Sequence, residues 1–182
     1  MDFRSHAFLL EAIEQFQSSG ELPKGTHLHK AMFFLRAMGV PVPFSFILYK
    51  HGPFSLDVES ELAEMKSYNA ICPDSRPGHS QVLQAGINVQ RLKLKVQLSP
   101  EERRSVAQVC KFLAGKPLTE IEVLATAAWI KSNEQFRTSD EMARRLHLLK
   151  PYVSPHEATE RVEEIETIIS GGQRVAGGTG FA

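Results

Sequence analysis

Four times between residues 99 and 157 a Ser or Thr is followed three places later by Glu: Ser99-Pro-Glu-Glu102, Thr119-Glu-Ile-Glu122, Thr138-Ser-Asp-Glu141 and Ser154-Pro-His-Glu157. In such a capping box the hydroxyl accepts a free N–H of the first helical turn, and the Glu carboxylate reaches back to the cap residue. Two of the four also put Pro at the first helical position, where its missing N–H costs nothing. Apolar stripes at helical spacing follow: Val106, Val109, Cys110 and Leu113, then Met142, Leu146 and Leu149, then Ala158, Val162, Ile165 and Ile169. Between them Leu118 to Ile130 is apolar on nearly every side except Glu120, Glu122 and Thr126, the pattern of a buried central helix. The second half is therefore a four-helix unit.

The first half changes period more often. Leu9, Ile13 and Phe16 predict a helix from Phe3 to Phe16, closed by Gly20 and Pro23. Leu28, Ala31, Met32, Leu35 and Met38, widened by Phe33 and Phe34, predict a core helix that Gly39, Pro41 and Pro43 terminate. Phe44 to Tyr49 is short, aromatic and branched, and reads as a strand. Gly52-Pro53 is a turn signal, and Ser55 is placed to cap a helix from Leu56 to about Tyr68. Ala70 to Cys72 and Gln81 to Leu83 flank a Pro/Gly-containing loop and read as a hairpin. Leu92, Leu94, Val96 and Leu98 alternate with polar residues, as in a strand or extended connector. The expected fold is α+β and mainly helical. A winged-helix-like N-terminal half (1–90) is joined by a strand or connector (91–98) to a four-helix half (99–170), with a flexible glycine-rich tail (171–182). Separate domains or one continuous core both suit this length.

Composition excludes several classes. The 182 residues carry 21 Lys+Arg and 21 Asp+Glu. Residues 1–97 hold 10 and 9, and the remainder 11 and 12, so neither half has the bulk positive charge that drives non-specific nucleic-acid binding. No apolar run reaches the length of a membrane span, and the first 20 residues contain Asp2, Arg4, Glu11 and Glu14 in place of an export core. Cys72 and Cys110 form neither a Cys-x-x-Cys pair nor a zinc spacing. A cytoplasmic protein with reduced thiols and no cofactor is expected.

Few segments offer chemistry. His27-x-His29 sits near a helix start, where positions two apart diverge, and is a poor metal clamp. Lys50, His51, Gly52 and Ser55 gather a cation, an imidazole, a glycine and a helix cap, a candidate site for an anion or small ligand. A Ser55–His51 nucleophilic pair lacks a third member and an oxyanion-hole motif. The helix from Leu56 to Tyr68, which would enter a DNA groove in a winged-helix reading, carries Asp57, Glu59, Glu61 and Glu64 against Lys66 alone, so DNA is disfavoured there. Arg144, Arg145, His147 and Lys150 are the second candidate, a basic surface for an acidic partner or nucleic acid. The hairpin around Arg76 to Gln81 offers a further nucleic-acid contact, and Arg91, Lys93 and Lys95 read as the charged face of an exposed strand.

Lys30-x-x-Phe33-x-Leu35-x-x-x-Gly39-Val-Pro41 followed by Phe46-x-x-Tyr49-Lys-His-Gly-Pro-Phe-Ser55 resembles the YwgA-like bacterial proteins, over residues 25–170. Over residues 28–70 it is similar, more distantly, to the Panacea domain of SocA-like antitoxins and phage-associated proteins. Tyr49, Gly52, Pro53, Phe54 and Ser55 carry that signature. Glu122-x-Leu-Ala-Thr-Ala-Ala-Trp129 and Leu149-Lys-Pro-Tyr-Val-Ser-Pro155 resemble the helical region. The resemblance implies a small bacterial protein acting through protein contacts, antitoxin-like or phage-related, with no catalytic residues to carry over. The leading expectation is thus a non-enzymatic protein-interaction module. A DNA-binding regulator and a ligand binder at Lys50–Ser55 are the alternatives, and a homodimer is left open.

Overall fold

The computed structural model describes residues 3–74 and 82–176. Among the described residues, eight helices and two small antiparallel strand pairs follow in the order α1 (Phe3–Ser18), α2 (Gly25–Ala37), β1 (Ile47–Tyr49), β2 (Gly52–Phe54), α3 (Leu56–Ser67), β3 (Ile71–Pro73), β4 (Leu83–Ala85), α4 (Val89–Lys93), α5 (Pro100–Leu113), α6 (Leu118–Asn133), α7 (Ser139–Leu149) and α8 (Pro155–Ala176). The chain is a mainly helical α+β protein. No described helix is long and apolar enough to cross a membrane.

α2 and α6, the two helices apolar on most sides, are the centre. Every residue of α2 from His27 to Leu35 is buried, as are Ile121 and all of Val123 to Ala128 on α6. Phe33 of α2 stacks on Trp129 of α6 at 5.6 Å between ring centroids. α1 packs against α5, and α7 folds back on α8. Buried side chains of the two halves form one continuous cluster, from Phe8, Leu28 and Met32 to Val109, Leu124 and Ile165, to which the 91–98 segment contributes Leu92 and Leu98.

Capping chemistry fixes the second half much as its pattern implies. Ser99 Oγ accepts from the Glu102 N–H and Thr138 Oγ1 from the Glu141 N–H, each Glu answering at its cap. Ser154 Oγ accepts from the Glu157 N–H at 3.2 Å. The Thr119 box does not form. α6 begins at Leu118 behind Pro117, whose carbonyl accepts the Ile121 N–H, so Thr119 lies inside the first turn.

Other expectations are corrected. Phe44–Tyr49 is a strand only from Ile47, because the backbone before it bonds to side chains. Arg36 Nη1 donates to the Phe44 carbonyl, and the Ser45 N–H donates to Asp57 Oδ2. β1 then pairs with β2, Ile47 opposite Phe54 and Tyr49 opposite Gly52. Gly52 and Pro53 therefore belong to a strand, and Lys50-His51 makes the turn. Residues 91–98, expected as a strand or extended connector, begin in α4 and a following turn, since local bonds such as Leu94 N–H to Gln90 O satisfy the backbone, and only 96–98 run on as an irregular connector. Leu92 is buried and Leu94 exposed, while Lys93 pairs with Glu14 at 2.7 Å. The second hairpin pairs Ile71 with Ala85, so its return strand starts at Leu83. α8 continues through Gly171 and Gly172 to Ala176, which shortens the expected tail. Residues 75–81, with the expected contact around Arg76 to Gln81, and residues 177–182 lie outside the described residues.

Candidate functional site

The β1–β2 hairpin rests on a cluster of buried charge. Lys30, on the face of α2 turned to α6, is only 2% exposed and donates from Nζ to the Pro53 carbonyl at 2.7 Å. Burial pulls its pKa from 10.5 to about 8; the Glu122 carboxylate opposes that fall and Lys150 adds to it. Lys150, the residue that ends α7, is also buried and donates to the Lys50 carbonyl at 3.0 Å. Burial lowers its pKa as well, against the pull of Glu122. Two ammonium groups from opposite halves of the chain thus each hold one carbonyl of the same hairpin.

Glu122 is the counter-charge. It projects from α6 with its carboxylate 3.0 Å from His51 Nδ1. One turn later Thr126 Oγ1 donates to the Glu122 carbonyl at 2.7 Å. Gly52 lies directly over this turn at φ +89; a Cβ there would stand 2.9 Å from Thr126 Oγ1 and 3.2 Å from the Glu122 carbonyl. Both the backbone conformation and the close approach demand glycine. The cluster is an anchor, since Lys30 is sealed from solvent and its ammonium is engaged by a backbone carbonyl.

The candidate residues separate on this scaffold. Lys50 and His51 occupy the exposed turn. Ser55 is buried at the other end of β2, where its hydroxyl accepts the Val58 N–H and its own N–H donates to His29 Nδ1. A Ser55–His51 pair is therefore absent, since Ser55 faces His29 and His51 faces Glu122. The basic surface divides too. Arg145 Nε donates to Glu134 Oε2 at 2.8 Å, and His147 donates from Nδ1 to the Val153 carbonyl at 2.7 Å. Lys150 turns inward to the hairpin. Arg144 and His147 line a groove of about 520 Å³ between α7 and α8 with Leu148 and Pro155.

The carboxylates of α3 are likewise committed. Asp57 holds the Ser45 N–H, and Glu59 accepts from His29 Nε2 at 2.7 Å. Burial lowers the His29 pKa despite Glu59, and the bond it accepts on Nδ1 fixes the tautomer with its proton on Nε2. His27 accepts the Lys24 N–H on Nδ1 and turns its other nitrogen to Glu21, so the two histidines serve different partners. Glu61 and Glu64 face His6 of α1.

Above the anchor the hairpin presents apolar side chains to solvent. Ile47 is 54% exposed, Tyr49 66%, and Leu56, two residues beyond Phe54, 71%. The Tyr49 and Phe54 rings lie 6.1 Å apart, and Phe54 stacks on His29 at 4.6 Å.

Sequence reading missed Lys30, Glu122 and Thr126 as one unit. The available signal was a lysine within an all-round apolar helix, and a Glu and Thr four apart on another. These residues come from the segments that carry the resemblance: Lys30 and Phe33, Phe46 and Tyr49 to Ser55, Glu122 to Trp129, and Lys150 to Tyr152. They converge on the hairpin, with Phe33 against both Phe46 and Trp129. No protein-family model matches the chain, and no curated protein matches it.

Proposed function

We propose that this protein is a non-enzymatic interaction module that binds another polypeptide through the outer face of the β1–β2 hairpin. The observation that carries this reading is the exposure of Ile47 and Tyr49 on a strand pair that two buried lysines hold in place. A fixed apolar face has little conformational freedom to lose on binding, and a central tyrosine is a frequent energetic anchor at interfaces. The sealed position of Lys30 supports a scaffolding role over a catalytic one. Two free cysteines, Cys110 buried and Cys72 half-buried, suit a reducing cytoplasm. The resemblance to antitoxin-associated proteins makes a toxin or a phage-associated protein the partner of choice.

The test is affinity capture from the native host, followed by mass spectrometry, with wild-type protein beside Ile47→Asp/Tyr49→Asp and Arg144→Glu. A protein retained by wild type and Arg144→Glu, and lost from the hairpin variant, is the expected outcome. Equal capture by all three, or none by wild type, overturns the proposal. Duplex DNA at low salt, where electrostatic attraction is strongest, is expected to give no gel shift.

A further inference from the structure

Where α1 meets α3, three side chains converge that the interaction reading does not use. His6 of α1 is 1% exposed, and its Nε2 lies 2.5 Å from Glu61 Oε2 and 3.6 Å from Glu64 Oε2. All three donor atoms fall within 4.8 Å of one another. Despite this closeness Nε2 makes no aligned hydrogen bond among the described residues. A fully buried imidazole nitrogen aimed at two carboxylates, without the geometry of a proton shared between them, is an arrangement a cation satisfies.

From this convergence we infer that His6, Glu61 and Glu64 form a binding site for a divalent first-row transition metal ion, with zinc as the favoured occupant. One imidazole nitrogen and two carboxylate oxygens are a standard donor set for zinc. Metal–ligand bonds of about 2.1 Å in a tetrahedron put ligand atoms roughly 3.4 Å apart, and the two nitrogen–oxygen separations bracket that spacing. Glu61 and Glu64 are three apart on α3, so one helix face delivers both. Tyr68, one turn on, donates from its hydroxyl to Glu64 Oε1 at 3.1 Å, which leaves Oε2 for the ion. Such outer hydrogen bonds orient metal-binding carboxylates.

Three protein ligands leave the fourth position for water or an exogenous ligand. His6 and Tyr68 both line a cavity of about 300 Å³ beside the cluster, with Phe3, Met65 and Asn88. The ion would also tie α1 to α3, so that occupancy adds to stability.

The experiment is zinc titration of chelator-treated full-length protein by calorimetry, with the melting temperature followed in parallel. Cobalt(II) serves as a second probe, because its visible absorption reports coordination geometry. One zinc per chain, a raised melting temperature and a tetrahedral cobalt spectrum are expected. Glu64→Gln, at a half-buried position, should lower affinity at least a hundredfold, and Tyr68→Phe about tenfold. His156→Ala, which removes an exposed imidazole elsewhere, should change nothing. Tyr68→Phe keeps the test decisive if Glu64→Gln fails to fold. Absence of zinc and cobalt uptake by wild type, or uptake that survives Glu64→Gln or is lost with His156→Ala, overturns the site.

Discussion

The two strand pairs among the described residues are each built from three-residue strands and are held by different physics. β1–β2 is fastened from beneath by the Lys30 and Lys150 ammonium groups and turns Ile47 and Tyr49 to solvent. β3–β4 buries Ile71 and Leu83 in the core and is fastened through backbone: the Leu83 N–H donates to the Pro23 carbonyl at 2.7 Å, and the Gly86 N–H to the Ala70 carbonyl at 2.8 Å. The second hairpin spends its apolar side chains on folding. The first keeps them on the surface because charge has taken over their structural task, which is why it is the better candidate for meeting a partner.

The sharpest way to break the contrast is Lys30→Ala. It leaves the Pro53 carbonyl without its donor and removes one cation from Glu122, so a loss of about 4 kcal/mol is expected in denaturant unfolding. Hydrogen exchange should show protection lost in β1–β2 before β3–β4. Gly86→Ala is the converse. Its Cβ would stand 2.2 Å from the Asn69 carbonyl oxygen, a backbone atom that cannot swing aside. A loss of about 3 kcal/mol, centred on β3–β4, is expected.

Alkaline pH sharpens the same comparison. Folded Lys30 loses its proton near 8, whereas the unfolded chain holds it to about 10.5. In that window the unfolded state binds more protons, so stability rises with pH. A gain of about 1.5 kcal/mol between about pH 8 and about pH 9.5 is expected, measured by denaturant midpoint and absent from Lys30→Met. His27 and His29 have the same sign on the acid side. Burial lowers both, so the stability they govern falls as pH drops through and below 6.5. Ser55→Ala removes the cap of α3 and should cost about 1 kcal/mol. The smallest effect belongs to Ile47→Ser with Tyr49→Ser, which should leave stability within about 0.5 kcal/mol while abolishing partner capture.

Much of this architecture was legible. Helix starts at Ser99, Thr138 and Ser154 follow from one side chain meeting the N–H three residues on, a bond internal to the segment. The Ser55 cap is legible for the same reason. Short strands were harder. The Phe44–Tyr49 strand is trimmed by Arg36 and Asp57, whose bonds to its backbone span 8 and 12 residues and leave no local mark. The alternating leucines from Leu92 mimic a strand, but Asn88 Nδ2 donates to the Tyr68 carbonyl and the backbone winds into α4. Of the candidate site, the Lys50–Ser55 segment was visible and its support was not. Lys30, Glu122 and Lys150 become one unit only after α2, α6 and the end of α7 have packed. His6 gave no signal, because its partners lie on another helix.

The Lys150–Lys50 bond closes a span of 100 residues. A growing chain leaving the ribosome has Lys30 to hand when the hairpin emerges, but must wait for another 100 residues before the other clasp arrives. In that interval the strand pair hangs by one side with its greasy surface bare, the stage at which a nascent chain is most open to capture by a chaperone.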